Sequence, residues 1–115
     1  NQKIPVYGNG LNIREWIHVI DHVEAIWLVA KKGKRGDIYN VGSGIEMSNI
    51  ELVDEICKLL EKDLDNSVIF VRDRLGHDFR YSINSNKLKN LNWYPVRSVN
   101  FIESLTETVN FYVNS

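Results

Sequence analysis

The chain has 115 residues, 43% of them apolar and 25% charged, with a net charge of −1, which is room for one domain of ordinary globular composition. That balance excludes a general attraction to nucleic acid or to an acidic membrane, so any anion site must be built locally. The single cysteine, Cys57, excludes an intrachain disulfide and fits a reducing, cytoplasmic setting; no apolar run has the length of a membrane span and no signal-peptide pattern is read.

Asn1 is followed at once by what reads as mid-domain sequence, so a piece of a longer chain is expected. "IPVYGNG" is a short extended segment closed by a turn, with Asn9-Gly10 expected at the left-handed positions. "LNIREWIHV" places Ile13 and Trp16 among polar neighbours and reads as a strand or extended segment. A helix follows in "DHVEAIWLVAKKG", where Val23, Ile26, Trp27 and Ala30 recur at the helical spacing. Asp21 and Glu24 resemble a capping pair at its start, Lys31 and Lys32 suit its C-terminal end, and Gly33 stops it.

"GDIYNVGSG" predicts a short strand over Ile38 to Val41. "SNIELVDEICKLLEK" predicts a second helix, opened by a Ser48–Glu51 capping box and burying Val53, Ile56, Cys57 and Leu60. "SVIFV" is a further strand. A short helix covers "NSNKLKNL", with Pro95 preventing its continuation. The last helix is "NFIESLTETVNFYV", with Ile102, Leu105, Val109 and Tyr112 inward. The alternation predicts an α/β chain, one small mixed domain over residues 1–115 with short strands and about four helices.

Motifs for chemistry are sparse. There is no G-x-G-x-x-G and no G-x-x-x-x-G-K-[ST]. "GSG" at Gly42 to Gly44 favours a strand-to-helix turn over a phosphate cradle. His18 and His22 stand four apart, but Val19 occupies the place of a zinc-protease glutamate, so no metal site is assigned. No serine sits in a nucleophile elbow, and the carboxylates along the helices read as solvated surface.

The stretch "VRDRLGHDFRY", Val71 to Tyr81, differs. It holds three arginines, two aspartates, a histidine and a glycine directly after a strand, where α/β proteins commonly place binding groups. Arginine offers a planar fork that matches phosphate, and Gly76 permits close approach or an unusual dihedral. Composition alone divides the segment evenly between an anion site and a solvated turn. Arg14, between Ile13 and Trp16, reads alone as a surface strand residue.

"PVYGNGLNIREWIHVIDHVEAIWLV", "GDIYNVGSGIEMSNIELV", "RDRLGHDFRYSINSNKLK" and "LNWYP", in that order, resemble the C-terminal third of the dTDP-glucose 4,6-dehydratases. These are extended short-chain dehydrogenase/reductases that modify nucleotide sugars. The likeness runs from Pro5 to about Tyr112. Its first block and the Tyr39–Asn40 to Gly42 pattern are shared with nucleotide-sugar epimerases, decarboxylases and dehydratases, while the pattern from Asp73 to Ile83 is much more specific to the dTDP-glucose dehydratases.

The resemblance implies a two-part lyase. An N-terminal Rossmann part binds NAD. A tyrosine–lysine pair and an acidic pair oxidise C4 of the sugar, eliminate water across C5 and C6, and return the hydride at C6. The C-terminal part grips the nucleotide diphosphate. By resemblance, Pro5, Val6 and Tyr7 border the nucleobase, Arg14 contacts the diphosphate, Asn49 binds the nucleotide portion, and Asp73, Arg74, Gly76 and His77 complete the diphosphate and ribose grip.

No catalytic, cofactor-binding or metal residue is carried over, so this chain alone is expected to be inactive. Leu75 stands where the family usually has proline, and Phe79 where it often has a second basic residue. The implied partners are dTDP-glucose or a related nucleotide sugar, with no nucleic acid and no membrane. A homodimer is implied for the longer form, and self-association for the isolated piece, which would expose a sheet edge. The equivalent portion of another nucleotide-sugar epimerase or decarboxylase is the alternative, followed by a stand-alone interaction domain.

Overall fold

Two short runs rich in β-branched and aromatic residues pair as the parallel strands β1 (Ile4–Tyr7) and β4 (Val68–Val71). Their register sets Ile4 beside Val68 and Tyr7 beside Val71, so the two strands end together. The computed structural model that shows this describes residues 2–76, 79 and 83–115. Between and after these strands lie β2 (Ile13–Glu15), α1 (Val19–Lys32), β3 (Glu46–Ser48), α2 (Asn49–Leu59), α3 (Leu64–Ser67), α4 (Asn86–Asn90), α5 (Val96–Val99) and α6 (Phe101–Val113). Strands β2 and β3 form a second two-stranded sheet. The class is mixed α/β as expected, with six helices among the described residues rather than about four. The extra two, α3 and α5, are single turns of four residues, too short for a periodic pattern to reveal.

The chain divides into two compact units. The first comprises Asn1–Arg14, Met47–Tyr81 and Leu105–Ser115. Its buried apolar residues include Val6, Cys57 and Val68. Helix α2 opens with the expected capping box: Ser48 Oγ accepts from the Glu51 N–H at 3.2 Å, and Glu51 Oε1 accepts from the Ser48 N–H at 3.3 Å. Cys57 is buried on this helix, whereas Leu60 lies beyond its last turn and is exposed, against expectation. In the turn after β1 the left-handed positions are Gly8 and Gly10, not Asn9. The Asn9 side chain instead accepts from the Leu11 N–H at 3.0 Å, an Asx turn.

The second unit comprises Glu15–Glu46 and Ser82–Ser104. Ala25, Leu88 and Trp93 form its buried centre, with Ile17, Leu28, Val29, Tyr39 and Val41 packed around them. Helix α1 starts at Val19, earlier than Asp21, because His18 is the cap: its Nδ1 accepts from the Ile20 N–H at 3.1 Å. Asp21 is buried and serves α5 instead. The covered face of α1 carries Asp21, Ala25, Leu28 and Val29; Val23, Ile26 and Trp27, whose recurrence marked the helix, are each more than half exposed.

Residues 38–41 form no strand, since an extended segment becomes one only with a ladder partner and none lies beside it among the described residues. Ile38 is exposed while Tyr39 and Val41 pack on the core. Helix α4 ends at Asn90, and Asn92 takes a positive φ of 66°, so the chain turns before Pro95. Pro95 stands at the N-cap of α5. In α6, Leu105 and Val109 are half-buried, but Ile102 and Tyr112 face solvent and Ser104 is the buried residue. The Ser104 hydroxyl donates to the Arg97 carbonyl at 2.6 Å, which turns that side of the helix inward.

Candidate functional site

The residues implied for the nucleotide grip map to β1, β2, the first turn of α2 and the segment after β4, all within the first unit. Parallel pairing is what gathers them. Because β1 and β4 end together, the residues that follow each strand emerge side by side, as is usual at the C-terminal edge of a parallel sheet. The Gly8 N–H donates to the Val71 carbonyl at 2.9 Å, extending the ladder one step past β1.

Asp73 then lies against Gly8, where an added Cβ would stand 3.1 Å from Asp73 Oδ2. Asp73 Oδ1 accepts from the Arg74 N–H at 2.8 Å. The Arg74 guanidinium sits 5.2 Å from the centroid of the Tyr7 ring, a cation–π contact worth roughly 0.5–1 kcal/mol at an exposed site. Tyr7, Asp73 and Arg74 thus form one exposed face: a flat ring, a carboxylate fixed by the backbone, and a guanidinium aligned over the ring.

Pro5 and Val6 separate as strand alternation requires. Pro5 is exposed, while Val6 is buried beneath Gly10, so Val6 can face a ligand only through its backbone. Gly76 has a φ of 71°, a backbone conformation that favours glycine, and nothing within 4 Å of an added Cβ. Arg14 is half-buried on β2, and its Nη1 donates to the Ile13 carbonyl at 2.8 Å. The segment after β4 returns to this strand: the Ile13 N–H donates to the Phe79 carbonyl at 2.6 Å, one residue from Arg14. His77 lies outside the described residues.

Asn49 is the first residue of α2, but the backbone donors of that turn are already taken. The Asn49 N–H donates to the Asn12 carbonyl at 3.1 Å, the Ile50 N–H to the Gly10 carbonyl at 2.9 Å, and the Glu51 N–H to Ser48 Oγ. An anion here would therefore meet the Asn49 side chain, not the bare helix start that the sequence suggests. What α2 does is hold the 8–12 turn. Glu15, beside Arg14, escaped sequence reasoning entirely: its carboxylate accepts from the backbone N–H groups of Gly44 and Ile83, partners far along the chain that no local pattern announces.

Among the described residues no group of three or more His, Cys, Asp and Glu is placed to hold a metal. No helix among them is long and apolar enough to cross a membrane. The face at Tyr7 and Arg74 offers cation and ring, which suits an anionic group attached to a flat one.

A family model described as GDP-mannose 4,6 dehydratase matches residues 1–108. A probable dTDP-glucose 4,6-dehydratase of Sinorhizobium fredii is 41% identical over 121 residues, which cover 99% of this chain and 34% of the relative. The crystal structure of DesIV, a dTDP-glucose 4,6-dehydratase from Streptomyces venezuelae with NAD and TYD bound, matches with a TM-score of 0.90 and 40% identity over 99% of this chain and 35% of that one. A UDP-N-acetylglucosamine 4-epimerase from Methanobrevibacter ruminantium M1, in complex with UDP-N-acetylmuramic acid, matches with a TM-score of 0.84 and 27% identity over 97% of this chain and 35% of that one. This chain therefore spans about a third of the length of the relatives it matches.

Proposed function

This chain belongs to the GDP-mannose 4,6-dehydratase family, and on that premise we propose that residues 1–115 are the nucleotide-sugar-binding domain of a cytoplasmic, NAD-dependent dTDP-glucose 4,6-dehydratase. The observation that carries the reading is the Tyr7–Asp73–Arg74 face, which the paired ends of β1 and β4 assemble from segments more than 60 residues apart. Arg74 binds the diphosphate by charge-assisted hydrogen bonds, Tyr7 and Pro5 flank the nucleobase, and Arg14 closes on the diphosphate from β2. Asn49 contributes its side-chain amide, and His77 belongs to the same grip. The higher identity to dTDP-glucose dehydratases than to the UDP-sugar epimerase supports thymidine over uridine.

NAD does not fit the residues of this chain. No G-x-G-x-x-G follows β1 or β4, and the turn after β1 is occupied by α2 through the Gly10 and Asn12 carbonyls. We assign NAD and the sugar chemistry to parts of the enzyme outside these residues. The chain's role is to bind and orient the nucleotide sugar. The exposure of Ile26, Trp27, Ile38, Phe111 and Tyr112 supports self-association of the isolated chain and a homodimer of the longer enzyme.

Titration with dTDP is expected to shift the backbone amide resonances of Tyr7, Arg14, Asn49 and Arg74, and UDP to compete weakly. dTDP-glucose incubated with the chain alone is expected to be recovered unconverted. A spectrum indifferent to dTDP would overturn the reading, and equal competition by UDP would move it to the epimerase branch.

A further inference from the structure

Asp73 is the one member of the Tyr7–Asp73–Arg74 face whose chemistry does not suit an anionic ligand. An ionised carboxylate only accepts hydrogen bonds, so it has none to offer a diphosphate oxygen. Its two oxygens are turned to the protein instead. Oδ1 accepts from the Arg74 N–H at 2.8 Å. Oδ2 lies against Gly8, where an added Cβ would stand 3.1 Å from it and 3.5 Å from the Cβ of Asp73. Gly8 has a φ of 58° and is itself tied to the end of β4, its N–H donating to the Val71 carbonyl at 2.9 Å. The Asp73 side chain thus rests on a fixed piece of backbone, and every residue of the arrangement belongs to the first unit.

Arg74 is therefore held at two places. The Asp73 carboxylate fixes its backbone, and the Tyr7 ring, 5.2 Å from the guanidinium, fixes its head. Arginine has a long side chain with many rotamers, and each rotamer given up on binding weakens the complex. An arginine already aimed when the ligand arrives has fewer to give up.

We propose that Asp73 is a positioning residue for the nucleotide diphosphate: it bonds no ligand atom, and by fixing the Arg74 backbone against Gly8 it aims the guanidinium that does. This rests on the nucleotide-binding role proposed above. It also narrows that role, since the resemblance alone counts Asp73 among the residues of the diphosphate and ribose grip.

Asp73→Asn keeps an oxygen for the Arg74 N–H and removes the charge, whereas Asp73→Ala removes both. Asp73→Ala is also combined with Arg74→Ala. Amide-shift titration with dTDP is the measure, because it reaches the weak binding expected of the Arg74→Ala proteins. Asp73→Ala is expected to bind about three- to tenfold more weakly than the wild type, the order for one arginine side chain ordered only on binding. Asp73→Asn is expected to stay within about twofold of the wild type, since the acceptor remains. In the Arg74→Ala background, Asp73→Ala is expected to change the affinity no further, because the residue it acts through is gone.

A carboxylate that accepted from a ribose hydroxyl, or one that merely held the loop together, would cost affinity in both backgrounds. An undiminished loss in the Arg74→Ala background would therefore overturn the positioning role. So would wild-type affinity in Asp73→Ala, or a loss in Asp73→Asn as large as in Asp73→Ala. A further reading needs no ligand. The Tyr7 ring is expected to shift the Arg74 side-chain proton resonances upfield, a shift that Asp73→Asn keeps and Asp73→Ala lessens. Its absence in the wild type, or its full persistence in Asp73→Ala, would overturn the hold on Arg74. Failure of the wild type to bind dTDP would instead overturn the nucleotide-binding role, whatever the ring-current result.

Discussion

Replacing Asp21 by alanine is expected to cost about 3–5 kcal/mol of unfolding free energy, because it leaves two backbone donors and a hydroxyl without their acceptor, at roughly 1–3 kcal/mol for each that stays unsatisfied. The Asp21 side chain is 1% exposed. Its Oδ2 accepts from the Ser98 N–H and the Ser98 hydroxyl, both at 2.6 Å, and its Oδ1 accepts from the Arg97 N–H at 3.2 Å. These two amides open α5, whose N-cap is Pro95, a residue with no side-chain oxygen to offer. Asp21 therefore caps a helix 76 residues away, as the turn's own sequence cannot.

The network continues outward. Ser98 Oγ accepts from the His18 N–H at 2.9 Å, and the Asp21 carbonyl accepts from the Trp93 indole N–H at 3.1 Å. Alanine would leave two backbone donors and a hydroxyl beside a small void. Asparagine retains one acceptor and is expected to lose about half as much. Urea unfolding of the three proteins tests this. A loss below about 1 kcal/mol for Asp21→Ala would show that α5 finds its partners elsewhere.

The second large effect is expected at Gly10. Its φ is 74°, and a Cβ there would stand 2.8 Å from the Cβ of Ile50 and 2.9 Å from Cγ1 of Val6. Left-handed backbone costs a residue with a side chain roughly 1–2 kcal/mol, and overpacking a filled site a further 1–3 kcal/mol or so. Gly10→Ala is thus expected to lose about 2–5 kcal/mol of stability. Relief of the clash would separate the turn from α2 and break the Ile50–Gly10 bond, moving the end of β1 that carries Tyr7. Gly36 provides the control, with a φ of 84° but nothing within 4 Å of an added Cβ, so Gly36→Ala should lose only the dihedral term. Equal losses at the two positions, measured by thermal unfolding, would argue that packing against α2 contributes nothing.

These two residues also show what was legible in the sequence. Local signals read well: the Ser48–Glu51 box, the burial of Cys57, the strand over Val68–Val71 and the stop at Gly33 all appear as expected. Each depends on residues within one turn of one another. Asp21 was legible as an acid near a helix start, but the helix it caps is α5, and only tertiary packing reveals that. Helix α1 misleads for a related reason. It has apolar residues around most of its circumference, so spacing identifies the helix without saying whether Ala25 and Leu28 or Val23 and Trp27 are covered.

At the site, residue chemistry marked the segment after β4, and the resemblance divided roles among its members. What neither conveyed is that Arg74 is aligned by Tyr7, that the first amides of α2 are spent on the 8–12 turn, and that Glu15 occupies the glycine turn. All three arise between segments far apart in the chain, where pattern rules have nothing to measure.

The central claim is that the Tyr7–Arg74 face binds the diphosphate of a thymidine nucleotide. Calorimetric titration of dTDP into the wild-type chain and into Arg74→Ala tests it most directly. The account predicts measurable wild-type binding and a loss of roughly 1.5–3 kcal/mol in the variant, about a 10- to 150-fold rise in Kd. An unchanged Kd in Arg74→Ala would contradict it.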